Sequence, residues 1–360
     1  MCSYTISVNI TPKETQSLKT PITKEDHYYH CSSKRERITF KKDSITISGT
    51  RGSEIDTNFG LFTVRSTYQF SILKSFIYYL GCWGPFDIEK ITFNVHNETS
   101  KILELDQEKL NNFFCNPLDF DFPKEKLENI FEIEDSKNRL VTALAYQIYG
   151  AESQDTFERF ANNWRCFNHI YNCVNGDTSD TDGIQKVLKD VEETNLSDLS
   201  DPIEISKEFI NNLPKTRLLG WLSQKNRNLD SFKNLSGIER MKDKELIKKV
   251  KELILPEFPG IKYDIDKNDD KYSNREERNV YKKIRRLEGS GNYPFDYLLL
   301  TIAYTKYLRN KYFHGEYRSP QLIFKDNDIL NELNKTAEVL QKLNWVLLDR
   351  YYQKLYVENF

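Results

Sequence analysis

Histidine and methionine are scarce in this chain, with five and two among 360 residues, and glycine is sparse at 14. Six cysteines stand at positions 2, 31, 82, 115, 166 and 173, and none forms a C-x-x-C pair. That spacing excludes zinc ribbons and dithiol redox motifs, whose chemistry needs two thiols within one turn. Cys31 beside His27 and His30 is the single metal-like grouping, and it reads as a polar loop or strand end rather than a metal site. No apolar run approaches the ~18 to 20 residues of a membrane span, so no membrane partner is expected. The start, MCSYTISVNIT, lacks a basic segment followed by an apolar core, so free thiols in a reducing cytoplasm are expected. Also missing are a P-loop, G-x-G-x-x-G, G-x-S-x-G and H-E-x-x-H, so nothing points to a bound nucleotide, a serine nucleophile or a zinc protease, and no cofactor is expected. There is no internal repeat and no low-complexity tract.

What is present suits two packed domains. Hydrophobic residues make up 38% and aromatics 13%, enough for a sizeable core. The formal net charge of −2 excludes a uniformly basic protein but leaves room for a local basic patch. Residues 4–10, 38–49 and 87–97 alternate apolar and polar with β-branched side chains, which predicts strands. The stretch 67–81 has helical spacing up to Gly81, and 105–114 reads as a short helix. These predict a mixed α+β domain over 1–135, suited to sensing or substrate recognition. From 136 the texture is helical to the end: 136–150 up to Gly150, 153–176, 202–224 with a break at Pro214, 274–289, 295–315 and 326–356. The expected architecture is therefore an α+β N-terminal domain followed by an all-α helix bundle over 136–360. Residues 177–204 hold nine acidic residues against two lysines and read as a solvated loop with a short helix, and 225–275 reads as a charged insertion.

The basic residues gather late in the chain. From 271 to 318, eleven Lys and Arg face five Asp and Glu, with YKKIRRLEG as the densest part. Lys282, Lys283, Arg285, Arg286, Lys311 and Arg318 are candidates for contact with a phosphate backbone, although a solvated helix face has the same composition. Tyr304, Tyr307, Tyr312 and Tyr317 read as core or interface packing, with base stacking the rarer use.

Within that region stands KYLRNKYFHGE, residues 306–316. Arg309 and His314 are five apart, so on a helix they lie roughly 140° apart around the axis and about 7.5 Å along it. Asn310 and His314, four apart, share a face. A helix tip whose cations favour the dipole explains such a pair on spacing alone. A two-fold axis changes its meaning, because two Arg and two His then converge in one cleft. Such a cleft suits RNA cleavage by the ribose 2′-OH: arginine stabilises charge on the phosphate and histidine moves the proton.

Two separated stretches give a family resemblance. YLRNKYFHGE resembles the R-N-x-x-x-H-G end of a late bundle helix in the HEPN superfamily, and FERFANNWRCFNHIYN (157–172) resembles its first bundle helix. The resemblance covers about residues 153–356 and leaves 1–135 outside. It implies a HEPN-type bundle acting as a metal-independent endoribonuclease in a homodimer cleft. Arg309 would bind the scissile phosphate, His314 would transfer the proton and Asn310 would be their polar companion. Such proteins serve as toxins or in antiviral defence, which adds an antitoxin or regulatory partner to the expectation. The alternative for the same bundle is a non-catalytic module that binds RNA or protein.

Overall fold

The computed structural model describes residues 2–13, 18–28, 31–52, 55, 66–96, 101–106, 120–132, 139–176, 180–194, 196–222, 241–257, 284–313 and 328–356. They form an antiparallel sheet followed by a mostly helical region. Two compact units result: Met1–Val187 with Asn344–Phe360, and Leu188–Leu343. Residue 135 falls inside the first unit, which holds helices from both sides of it.

In the first unit, six strands lie in the order β2-β3-β4-β1-β5-β6. They are β1 (Cys2–Pro12), β2 (Ile22–Tyr28), β3 (Cys31–Phe40), β4 (Ser44–Arg51), β5 (Phe86–His96) and β6 (Lys101–Asp106), each antiparallel to its neighbours. Alternation decides the faces. Tyr4, Ile6, Val8 and Ile10 of β1 and Ile91, Phe93 and Val95 of β5 are buried, while Ser3, Thr5 and Ser7 pair with Thr50, Ser48 and Thr46 across a hydroxyl-rich opposite face. Helix α1 (Thr67–Trp83) closes the apolar face, with Tyr79 at 4.9 Å and Phe76 at 5.5 Å from the Phe86 ring. Each such side chain removed from water stabilises the unit by about 1.5–3 kcal/mol.

Several local expectations change. The alternating run 38–49 is not one strand but the end of β3, a turn at 41–43 and β4, closed by Lys41 N–H donating to the Ser44 carbonyl at 2.8 Å. Gly81 does not end α1. The side chains of Phe120 and Leu127 lie against it, the helix runs on to Trp83, and Gly84 at φ 90° stops it. The expected helix 105–114 begins inside β6, and residues 107–119 lie outside the described residues.

Every described element after residue 106 is helical. The short α2 (Lys124–Leu127) leads to α3 (Arg139–Glu152) and α4 (Thr156–Asn175), which pack on one another. The side chain of Asp155 caps α4 by accepting from Glu158 N–H at 2.9 Å. Gly150, expected as a stop, lies within α3: a Cβ there would come within 2.7 Å of the Asn163 amide, so only glycine allows this approach. Phe160, Trp164, Phe167 and Tyr171 of α4 are buried, and Asn344 donates to Gln147 Oε1 and to the Asn163 carbonyl, both at 3.0 Å.

The acidic stretch forms a 15-residue helix, α5 (Asp180–Thr194), where a loop with a short helix was expected. Ile184, Val187, Leu188 and Val191 bury its inner stripe, and the acidic groups occupy the rest. In the second unit, α6 (Ser200–Asn212) and α7 (Lys215–Leu222) flank the break at Pro214. Then come α8 (Lys244–Ile254), α9 (Phe295–Phe313) and α10 (Asp328–Arg350), which passes into the first unit at Asn344, where α11 (Tyr352–Tyr356) follows. Helix α8 falls within the expected insertion 225–275, so part of that segment is core-forming: Leu246, Ile247 and Val250 are buried.

The first unit also buries charge beneath α1. Lys74 donates to Asp26 at 2.7 Å, and both are nearly inaccessible. The Glu36 carboxylate accepts from Tyr4 Oη, Ser71 Oγ and, at 3.0 Å, Arg51 Nη2.

Candidate nucleic-acid interface

Helix α9 is apolar on most sides over its first two-thirds and packs along α6. Leu298, Leu300, Ile302, Tyr304 and Leu308 are buried, and Thr305 returns its hydroxyl to the Thr301 carbonyl at 2.7 Å. A helix wrapped this way is held rigidly along its length. Its last turn differs: Lys306, Tyr307 and residues 309–312 are half-buried.

Tyr304 holds the helix just before that turn. Its ring is 1% exposed and stands edge-on to Trp221 at 5.3 Å. Its hydroxyl donates to Glu332 Oε2 at 2.8 Å, and Arg217 Nε approaches the other Glu332 oxygen at 3.5 Å. Burial raises the Glu332 carboxyl, while the Tyr304 hydrogen bond and Arg217 lower it. Tyr304 is therefore a packing and positioning residue, and base stacking by it is excluded.

Arg309 Nη1 donates to the Asn310 side-chain oxygen at 2.9 Å. Asn310, read as the polar companion of Arg309 and His314, meets the first of them here through its amide oxygen. The Lys311 ammonium stands 5.7 Å over the Tyr307 ring, a helical i,i+4 cation–π contact. The structure thus gathers Arg309, Asn310 and Lys311 on one half-buried helix end. His314, Arg318, Lys282, Lys283 and Tyr317 lie outside the described residues, as does His30 of the metal-like grouping.

Arg285 and Arg286 are described and exposed, on a helical turn that ends by residue 287. The structure sets this turn against α8. Lys251 Nζ donates to the Arg285 carbonyl at 3.1 Å, and the backbone beyond the turn pairs with the start of α8 through Ser290 N–H to the Lys242 carbonyl and Lys244 N–H to the Gly291 carbonyl. A Cβ on Gly289 would come within 2.3 Å of Lys244 Cα, so the two backbones touch there.

Two buried carboxylates lock that contact. Asp243 caps α8 by accepting from Leu246 N–H at 2.8 Å, and its second oxygen accepts from Tyr293 N–H at 2.8 Å. Asp296, in the first turn of α9, accepts from Lys242 and Asp243 N–H at 2.5 and 2.6 Å. Burial raises the Asp296 carboxyl, and these backbone hydrogen bonds oppose the rise. The anchor lies at the opposite end of α9 from Arg309, about 20 Å along the axis.

Sequence reasoning missed the lysines of α8. Lys244 and Lys248 are exposed and share a helix face with Lys251. Only their KELIKKVKELI spacing signals this, within a segment otherwise too charged to read as core-forming. No family model, curated protein or solved structure matches this chain.

Proposed function

We propose that the chain is a metal-independent endoribonuclease of HEPN type. Its site is built from the end of α9 and completed by the same end of a second copy. The observation that carries this reading is the Arg309 guanidinium at a half-buried helix end, held by Asn310 at 2.9 Å and followed five residues later by His314. An arginine so restrained is pre-oriented for bidentate contact with a phosphate, which reduces the ordering cost of binding. The Tyr304–Glu332 bond and the buried body of α9 supply the rigidity that such a site needs.

In the proposed reaction the ribose 2′-OH attacks its own 3′-phosphorus. The P–O5′ bond breaks, leaving a 2′,3′-cyclic phosphate on one product and a 5′-hydroxyl on the other. His314 takes the 2′-OH proton or protonates the departing 5′-oxygen, the second copy's histidine serving the complementary step. Arg309 stabilises charge on the non-bridging phosphate oxygens, and Lys311 contributes to backbone attraction. Toxin or antiviral RNA cleavage is the biological setting this reading favours, with an antitoxin or regulatory partner holding the activity in check.

The test is incubation of mixed cellular RNA with the protein in EDTA beside Arg309→Ala and His314→Ala. Cleavage by the wild type that both variants lose supports the site. Equal cleavage by all three removes it.

A further inference from the structure

We infer that α8 and the turn at Arg285–Arg286 form a second contact surface for the RNA phosphate backbone, distinct from the end of α9. This inference rests on the reading of the chain as an RNA-handling protein.

Charge and geometry carry it together. Among the described residues Lys244, Lys248, Arg285 and Arg286 have no carboxylate partner and are exposed. Four other cations of the same unit do have one, Lys189 with Glu193, Arg217 with Glu332, Lys242 with Glu192 and Lys335 with Glu338, at 3.2–3.5 Å, and the exposed Lys207 and Lys215 stand singly on other helices rather than in a row. The helix dipole does not account for Lys244. Lys244 follows the Asp243 cap directly, so its charge sits at the positive end of the helix dipole. Lys244 and Lys248 repel one another at i,i+4.

The arrangement is also fixed. Asp243, Asp296 and the Gly289–Lys244 approach hold the two segments together, and Lys251 is committed to the Arg285 carbonyl. Lys249 turns inward to the Ile210 carbonyl at 2.6 Å, which leaves the outward row to Lys244, Lys248 and Lys251. That row runs about 10 Å along the helix, the span of two to three phosphates at single-strand spacing. Acidic residues Glu245, Glu252 and Glu288 flank it, so it is a track with a polar rim, suited to a strand passing over it.

The experiment measures binding of a single-stranded RNA oligonucleotide in EDTA as a function of salt, using full-length wild type and the variant Lys244→Gln/Lys248→Gln/Arg285→Gln/Arg286→Gln. Both are also prepared with Arg309→Ala, so that cleavage does not obscure binding. Each lost phosphate contact should lower the slope of log affinity against log salt by about 0.7, or about 3 in all. Affinity at low salt should fall at least tenfold. A control with the same charge change at paired lysines (Lys13, Lys90, Lys189 and Lys335 to Gln) should keep the wild-type slope. Equal slopes for wild type and the α8 variant overturn the inference, as does binding of polyglutamate in place of RNA, which would indicate an acidic protein partner. RNA binding through α8 without any cleavage leaves this inference standing and removes the nuclease reading. Cleavage with unchanged binding does the reverse.

Discussion

Replacing Glu36 with glutamine should make the folded protein less sensitive to pH between 4.5 and 7. Glu36 is 1% exposed, in the interior of β3 beneath α1. Burial raises its carboxyl to about 7, against hydrogen bonds from Ser71 and Arg51 and the charge of Lys74, which lower it. Tyr4 faces it from β1, and the Lys74–Asp26 pair lies on the same side of the sheet. A carboxyl whose folded value lies above its unfolded value of 4.5 binds more protons when folded. Its contribution to stability is therefore complete below pH 4.5 and lost as pH rises through about 7. At 1.36 kcal/mol per pH unit the loss is about 3 kcal/mol for a group buried this deeply. Urea unfolding of wild type and Glu36→Gln at pH 4.5, 5.5, 6.5 and 7.5 reports on this group and the charges coupled to it, because groups remote from it cancel in the difference. Wild type should lose about 3 kcal/mol relative to the variant across the series. Parallel profiles, or a wild type that gains on the variant as pH rises, would mean that Arg51 and the hydroxyls outweigh desolvation and would refute the reasoning.

Other outcomes follow from single contacts. Gly289→Ala would place a Cβ 2.3 Å from Lys244 Cα, so backbone must move; a loss of about 1–3 kcal/mol is expected by urea midpoint, and an unchanged midpoint would contradict the close approach. Tyr304→Phe keeps the ring packing but removes the donor to buried Glu332, which should cost about 1–3 kcal/mol, and Glu332→Gln in the same background should recover part of it. The shared cleft requires a dimer, so sedimentation at micromolar concentration should show twice the chain mass, and a monomer there would count against the composite site.

The legible parts of this molecule are those specified by short-range pattern. Strand β1 and helices α4, α6 and α9 were readable because their apolar spacing matches one period without interruption, and β5 because its alternation holds from Ile91 on, past the bulge at Glu89–Lys90. Strand β2 was not, since ITKEDHY is an edge strand with only Asp26 buried among the first six of its side chains, and that one is polar. Gly81 and Gly150 looked like helix ends because glycine usually breaks helices, but each admits a neighbouring side chain. The stripe of α5 was hidden by acidic residues around it. In the candidate site, Arg309, Asn310 and Lys311 were identified as a local string. The contacts that hold them were not: Tyr304 finds Glu332 28 residues away, and Asp296 finds the start of α8 across 53 and 54 residues. The buried Glu36–Arg51–Ser71 group joins two strands and a helix, a placement that alternation cannot specify.

The chemistry of the product ends tests the central claim most directly. RNA incubated with the protein in EDTA should yield fragments with 2′,3′-cyclic phosphate and 5′-hydroxyl ends, identified by mass spectrometry and absent with Arg309→Ala and with His314→Ala. Fragments bearing 5′-phosphate, or the same fragments from either variant, would contradict it.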